Sequence, residues 1–217
     1  MTRVRIKICG VTSTDDVRAV ADAGADALGF NFYPQSSRFV DPAAAEKLVA
    51  TTPPFVEPVG VFVEASAAEM RATANRLGLR TAQWHGDKLP PEENLAPIQL
   101  IVAARVRGAD CLIGIRAVVA QRRAAGVPFA AVLIDAHVPG QFGGTGQTAP
   151  WELLAGFDPG VPVILAGGLT PENVAEAIRI VRPYGVDVAG GVESSPGRKD
   201  PDKIRRFVAA VRAAKGG

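Results

Sequence analysis

The amino-acid sequence predicts a single-domain (β/α)8 barrel that spans residues 1–217. Eight short runs rich in Val, Ile and Leu alternate with helix-forming stretches, as in a parallel sheet whose strands are joined by helices. The length fits, because a barrel of this kind needs roughly 200–250 residues. No low-complexity linker or change of composition divides the chain. An open, doubly wound sheet is the structural alternative.

The predicted strands are short and apolar, which is typical of parallel strands that are buried on both faces. Helix-forming stretches fill the intervals between them. The strands are predicted over residues 4–9, 27–32, 59–63, 81–84, 100–106, 130–135, 161–166 and 186–189.

Most predicted helices begin at a capping residue or at a proline in the first helical position. The helix after strand four has the weakest support, because residues 88–97 contain three prolines. A short helix is also predicted to start near Val192, after strand eight. The start signals of the other helices are Ser13 and Thr14, Asp41 and Pro42, Ser66, Thr170 to Glu172, and Asp200 and Pro201.

The composition excludes several classes of function. The net charge is +2, no block of Lys or Arg stands out, and only 6% of residues are aromatic, so no nucleic-acid partner is expected. The apolar runs are shorter than the ~20 residues that a membrane span needs, so no membrane partner is expected either. Cys9 and Cys111 lie far apart in the sequence and are interpreted as reduced thiols, which favours a cytoplasmic protein.

Reactive side chains stand where the predicted strands end, which is where a barrel of this type collects its chemistry. Cys9 ends strand one, His85 follows strand four and Asp135 ends strand six. A thiolate at Cys9 can act as a base if a positive charge such as that of Lys7, or a helix N-terminus, lies nearby, and Asp135 can be its acid partner. The alternatives are a buried packing cysteine and a capping aspartate; Cys111, in a helical region, is interpreted as packing.

Two glycine pairs and one arginine indicate an anionic ligand. Gly167 and Gly168 follow strand seven, and Gly190 and Gly191 follow strand eight, where barrels of this kind bind phosphate through backbone N–H groups. Arg38 lies in the loop after strand two, and its guanidinium can hold a substrate carboxylate through two parallel hydrogen bonds.

The segment "GTGQTA", residues 144–149, matches a dinucleotide fingerprint, but it does not directly follow a strand. Residues 139–148 are instead predicted to form a loop that folds over a ligand. The two histidines are separate and lack Cys or carboxylate neighbours at ligand spacing, so no metal ion is expected.

The ordered set "KICG", "GFNFYPQSSRF", "GVFV", "AQWHG", "LIDA", "GGTG", "LAGGL" and "GVDVAGGVESSPGRKD" resembles the phosphoribosylanthranilate isomerase family over nearly the whole chain. The resemblance implies a (β/α)8 barrel that needs no cofactor or metal. It also implies an Amadori rearrangement of N-(5-phosphoribosyl)anthranilate to 1-(2-carboxyphenylamino)-1-deoxyribulose 5-phosphate in tryptophan biosynthesis.

The same resemblance implies roles for individual residues. Cys9 is the general base that takes the proton from C2 of the sugar, and Asp135 is the general acid that protonates the ring oxygen. Arg38 holds the anthranilate carboxylate, the four glycines named above hold the phosphate, and His85 joins the substrate-binding set without an assigned role. The chain departs from the family at Gly190, where Ser is common, and at Trp84, where an aliphatic residue is usual.

Two other functions stay open at this point. One is a different phosphosugar isomerase or epimerase, and the other is a phosphosugar-binding barrel without activity. In each case the expected partner is a small phosphosugar, and the sequence is compatible with a monomer or a homodimer. A second phosphosugar substrate, such as the aminoimidazole sugar of histidine synthesis, also stays open.

Overall fold

The computed structural model describes residues 3–86, 93–106, 108–136 and 151–214. Its centre is a closed barrel of eight parallel strands that follow one another in chain order. The barrel prediction is therefore confirmed over the open sheet, since the first strand pairs with the eighth. The strands are β1 Arg5–Cys9, β2 Ala27–Asn31, β3 Glu57–Val63, β4 Thr81–His85, β5 Gln99–Arg105, β6 Ala131–Asp135, β7 Val163–Ala166 and β8 Gly185–Val188.

Four of the helices that surround the barrel begin at the predicted signals. Ser13 and Asp41 cap the first two helices, and Ser66 forms a reciprocal capping box with Glu69. None of the helices in the described ranges is long and apolar enough to cross a membrane. The helices are α1 Thr14–Asp22, α2 Pro42–Thr51, α3 Ala67–Leu77, α4 Ala109–Ala124, α5 Trp151–Leu154, α6 Val174–Val181 and α7 Pro201–Ala213.

Helix α6 begins later than its sequence signal. The hydroxyl of Thr170 accepts the backbone N–H of Glu172, and the side chain of Asn173 accepts the N–H of Thr170. These bonds form a turn before the helix, because short polar side chains can satisfy nearby backbone groups outside a helix. Between β4 and β5, residues 93–98 form no helix, in keeping with the weak signal there.

The prediction of a short helix that starts near Val192 is wrong. A single 3-10 turn, Gly190–Val192, ends there instead. It leads into a hairpin of two short antiparallel strands, β9 Glu193–Ser195 and β10 Arg198–Lys199. Two glycines disfavour a longer helix, and Gly197 closes the hairpin at a φ of 81° that other residues rarely adopt.

The alternation of side chains in β1 explains how polar groups enter the barrel. Ile6 and Ile8 are fully buried in the main hydrophobic core, which includes residues of the surrounding helices. Lys7 and Cys9 point to the opposite face, because successive side chains of a strand alternate. That face is the barrel interior, where Lys7 meets its neighbour Asp187 on β8. Cys9 therefore lies at the C-terminal end of the barrel interior.

Candidate active site

Cys9 lies beside the ammonium group of Lys7 and beside a glycine of the neighbouring strand. Gly29 is its direct neighbour on β2, and a Cβ at Gly29 would lie 3.1 Å from both the Cys9 Sγ and the Lys7 Nζ. Glycine at this position therefore leaves the space that the thiol and the ammonium occupy. The sequence analysis predicted Lys7 as a neighbour of Cys9, but it missed Gly29, which only the strand register identifies.

The charge state of Cys9 depends on opposing effects. Burial raises the pKa of the Cys9 thiol, and the carboxylate of Asp187 adds to this effect. The positive charges of Lys7 and Lys199 lower the pKa, but they do not outweigh burial. The free protein thus favours the thiol at neutral pH. The expected thiolate-stabilising cation is present, yet it does not lower the pKa below that of an ordinary thiol.

Lys7 and Asp187 form a buried ion pair next to Cys9. The Lys7 Nζ donates to the Asp187 Oδ1 over 2.8 Å, and both side chains are almost completely buried. Burial by itself would lower the pKa of Lys7, but Asp187 and Cys9 raise it above its usual value, so the ammonium is retained. The sequence analysis missed Asp187, although a carboxylate inside the apolar run of strand eight was a signal.

His85 ends β4 and faces the same interior. Its Nε2 lies 2.6 Å from the Nε2 of Gln83, which is buried two residues earlier on the same face of the strand. Burial lowers the pKa of His85, and the charge of Lys7 lowers it further, so the neutral imidazole is favoured. The charges of Asp187 and Asp135 also act on His85. The imidazole thus interacts electrostatically with charged residues of β1, β6 and β8.

Asp135 is the last residue of β6, as predicted. The strand register places it beside Arg105 of β5 and Ala166 of β7. Because parallel strands end at the same rim, Asp135 faces the mouth that Cys9 and His85 also face. The structure therefore brings together the predicted acid, the predicted base and the predicted histidine.

Arg38 reaches over the mouth from the loop after β2 and is held by a partner that the sequence analysis missed. Its Nε and Nη2 donate to the two carboxylate oxygens of Glu193 over 2.6 and 2.7 Å. Its stem crosses Gly10, where a Cβ would lie only 2.3 Å from the Arg38 Cδ, and Gly10 has a φ of 75°. Gly10, which directly follows Cys9, therefore leaves the space through which the side chain of Arg38 passes.

The two glycine pairs come together at the rim. A Cβ at Gly191 would lie 1.9 Å from the carbonyl oxygen of Leu169, which directly follows Gly167 and Gly168. At Gly190 the nearest atom to an added Cβ is the Arg38 Nη2, at 3.5 Å. The N–H groups of Gly190 and Gly191 open the 3-10 turn, and such groups have no partner within their own turn. The rim thus offers donors suited to an anion.

The sequence also singled out a glycine-rich segment, the absence of a metal site, the two cysteines and Trp84. The segments "GGTG" and 139–148 lie outside the described residues. Within the described residues, no group of three or more His, Cys, Asp or Glu is placed to hold a metal ion. Cys9 and Cys111 are both free thiols. Trp84, one of the two departures from the family, is buried and donates its indole N–H to the carbonyl of Ala65.

A family profile and an individual relative point to the same family. The family profile described as N-(5'-phosphoribosyl)anthranilate (PRA) isomerase matches residues 6–210. The N-(5'-phosphoribosyl)anthranilate isomerase of Acidithiobacillus ferrooxidans is 50% identical over 212 residues, which cover 98% of this chain and 99% of the relative.

Solved structures agree with the sequence comparison. A phosphoribosyl anthranilate isomerase in complex with reduced 1-(o-carboxyphenylamino)-1-deoxyribulose 5-phosphate is similar with a TM-score of 0.81 and 35% identity, over 96% of this chain and 98% of that one. Monomers generated from the dimeric isomerase of Thermotoga maritima give a TM-score of 0.79 and 33% identity, with the same coverage of each chain.

Proposed function

Because the chain belongs to the N-(5'-phosphoribosyl)anthranilate isomerase family, we propose that the mouth of its barrel performs this isomerisation with Cys9 as general base and Asp135 as general acid. The activity is that of the family, an aldose–ketose isomerisation in tryptophan biosynthesis. The observation that carries the proposal is the placement of both residues at the C-terminal ends of separate strands that face one mouth.

The proposed reaction begins when the carboxyl group of Asp135 protonates the ring oxygen of the ribose. The bond from this oxygen to C1 breaks, and a Schiff base forms between C1 and the anthranilate nitrogen. The Cys9 thiolate then takes the proton from C2; the C–H electron pair forms a C1–C2 double bond, and the C–N π electrons return to nitrogen. The enolamine tautomerises to the C2 ketone, 1-(2-carboxyphenylamino)-1-deoxyribulose 5-phosphate.

The raised pKa of Cys9 leaves only a minor fraction of the protein with a thiolate at neutral pH, and the lysine beside it stabilises this reactive form. The Lys7 ammonium is already in place beside the sulfur, so no group has to reorganise as negative charge develops. A base with a raised pKa is also the stronger base once it is deprotonated.

The proposed substrate contacts come from several loops of the rim, and Arg38 lies next to Gly190. The backbone N–H groups of the glycine pairs bind the phosphate, and the neutral His85 lines the mouth as a substrate-binding residue. Arg38 binds the anthranilate carboxylate through the edge of its guanidinium that Glu193 leaves open. Arg38→Lys keeps the charge but loses the planar fork, so it should weaken binding of the substrate far more than binding of inorganic phosphate.

The direct test is conversion of N-(5'-phosphoribosyl)anthranilate, followed by the loss of anthranilate fluorescence. The wild-type protein should show turnover that Asp135→Asn or Cys9→Ala strongly reduces. Turnover that survives both substitutions would contradict the proposed acid and base. Binding of substrate without turnover by the wild-type protein would instead favour a non-catalytic binding barrel.

We also propose that the chain forms a homodimer through the N-terminal face of the barrel. Phe55 is fully exposed in the loop after α2, with a φ of 70° that non-glycine residues rarely adopt. On the same face a cavity of about 320 Å³ opens into the barrel, with walls that include Val59, Ile101 and Ile164. A cavity of ~150 Å³ can hold benzene, so this one has room for a phenyl ring.

The exposed ring of Phe55 and the open cavity are complementary. In a symmetric dimer, each copy inserts its ring into the cavity of the other copy. The dimeric relative from Thermotoga maritima supports this proposal. Phe55→Glu should shift the mass measured by light scattering from dimer to monomer. Ile113→Glu, at another exposed apolar residue, is the control and should leave the mass unchanged. A wild-type monomer, or a dimer in Phe55→Glu, would contradict this interface.

The free state of both cysteines supports a further proposal, that the protein works in the reducing cytoplasm. A chemical count of thiols in protein from freshly lysed cells tests it. Two free thiols per chain are expected, and oxidised cysteines would oppose the proposal.

A further inference from the structure

We propose that Glu193 and Lys199, in the hairpin formed by β9 and β10, are positioning residues that aim Arg38 at the substrate carboxylate. The inference rests on the substrate-binding role proposed for Arg38. It concerns the segment "ESSPGRK", to which the acid–base chemistry assigns no part. The hairpin lies directly after the 3-10 turn of the phosphate-binding rim.

The geometry of the arginine supports this role. Glu193 accepts from Nε and Nη2, which form one edge of the planar guanidinium. The other edge, formed by Nη1 and the second N–H of Nη2, has no partner within the described part of the chain. Because the fork is rigid, fixing one edge fixes the direction of the other. Glu193 therefore determines where a ligand carboxylate can bind.

Lys199 balances the charge of Glu193. Its side chain is completely buried, and its Nζ lies 2.8 Å from the Glu193 Oε1. Burial would raise the pKa of Glu193, but the hydrogen bonds from Arg38 and Lys199 lower it below its usual range, so the carboxylate is charged. An isolated Arg38–Glu193 pair would be neutral overall. Burial lowers the pKa of Lys199, and the carboxylate of Glu193 offsets only part of this effect. In its ammonium form, Lys199 gives the cluster a net positive charge that attracts a carboxylate.

The same hairpin connects the arginine to the phosphate-binding rim. The Lys199 Nζ also donates to the carbonyl of Ala189 over 3.1 Å, and Ala189 is the residue before the 3-10 turn. At the tip, a Cβ at Gly197 would lie 2.4 Å from the carbonyl oxygen of Ser37, the neighbour of Arg38. The hydroxyl of Thr12 donates to the Gly197 carbonyl over 2.9 Å. The hairpin thus contacts both the loop that carries Arg38 and the residue that precedes the 3-10 turn of the phosphate-binding rim.

The test compares two ligands that differ in the carboxylate. One is reduced 1-(o-carboxyphenylamino)-1-deoxyribulose 5-phosphate, and the other is inorganic phosphate. Glu193→Gln keeps the shape of the side chain but removes its charge. It should raise the Kd of the reduced analogue about 10- to 100-fold, the range for a lost hydrogen bond to a charged group. The Kd of phosphate should change by less than about threefold.

A matched control is available on the surface. Glu46 forms an exposed ion pair with Arg76, and Glu46→Gln should leave both Kd values unchanged. If Glu193→Gln does not fold, Glu193→Asp keeps the charge and withdraws it by one methylene. It should also weaken the analogue selectively.

A double-mutant cycle separates positioning from a general structural role. In an Arg38→Ala background, Glu193→Gln should weaken the analogue by less than about twofold, because the group that it positions is gone. An equal loss with and without Arg38 would overturn the proposal, as would an unchanged Kd in the single variant. If Arg38→Ala alone leaves analogue binding intact, the role proposed for Arg38 fails instead.

Discussion

The adjacent glycines after β8 provide a matched pair of substitutions for the phosphate site. An added Cβ at Gly190 has 3.5 Å of space, whereas at Gly191 it would lie 1.9 Å from the carbonyl oxygen of Leu169. Ordinary contact needs about 3.4 Å, so Gly191→Ala must separate the two rim loops by about 1.5 Å. A displacement of ~1 Å in a site can cost about 100-fold in activity.

We therefore expect Gly191→Ala to raise KM by about 100-fold. Gly190→Ser should change KM by no more than about tenfold, the equivalent of roughly one hydrogen bond. The assays are steady-state fluorescence kinetics and the rise in Tm that added phosphate produces, which should be lost only in Gly191→Ala. Equal KM values and equal phosphate-dependent Tm shifts in both variants would refute this assignment. Gly191 lacks a positive φ, so the effect would come from loop contact alone.

Further predictions concern the acid and the ionisation of the base. Asp135→Asn should lower kcat by about 10²- to 10⁴-fold, whereas an unchanged kcat would make Asp135 only a cap. In a Cys111→Ala background, the rate at which iodoacetamide alkylates Cys9 should keep rising above about pH 8.5, since its pKa is raised. Asp187→Asn should lower this apparent pKa and Lys7→Met should raise it; shifts of the same sign in both variants would contradict the charge balance described for the site.

Much of the fold follows from local sequence pattern. Strand one was predicted over 4–9 and is found at Arg5–Cys9, because alternating isoleucines already separate an outer from an inner face. The caps at Ser13, Asp41 and Ser66 were equally local signals. The hairpin after Val192 was missed, because its short strands are stabilised by contacts with distant loops rather than by an apolar pattern of their own.

The main residues of the site could be predicted from the sequence, but the side chains that pair with them could not. The positions of Cys9 and Asp135 followed from strand ends, which the sequence marks. The pairing of Arg38 with Glu193 joins residues 155 positions apart, and no local pattern identifies it. The raised pKa of Cys9 was also beyond the sequence, because it depends on how deeply the thiol is buried between opposing charges.

The most direct test of the account is the turnover of Cys9→Ala, measured together with its affinity for the reduced analogue. The account predicts a loss of about 10²- to 10⁴-fold in kcat, with a Kd within about threefold of wild type, because the substitution removes the base and leaves the binding contacts in place. Near-normal kcat in a folded variant that binds the analogue would contradict the central claim that Cys9 moves the C2 proton.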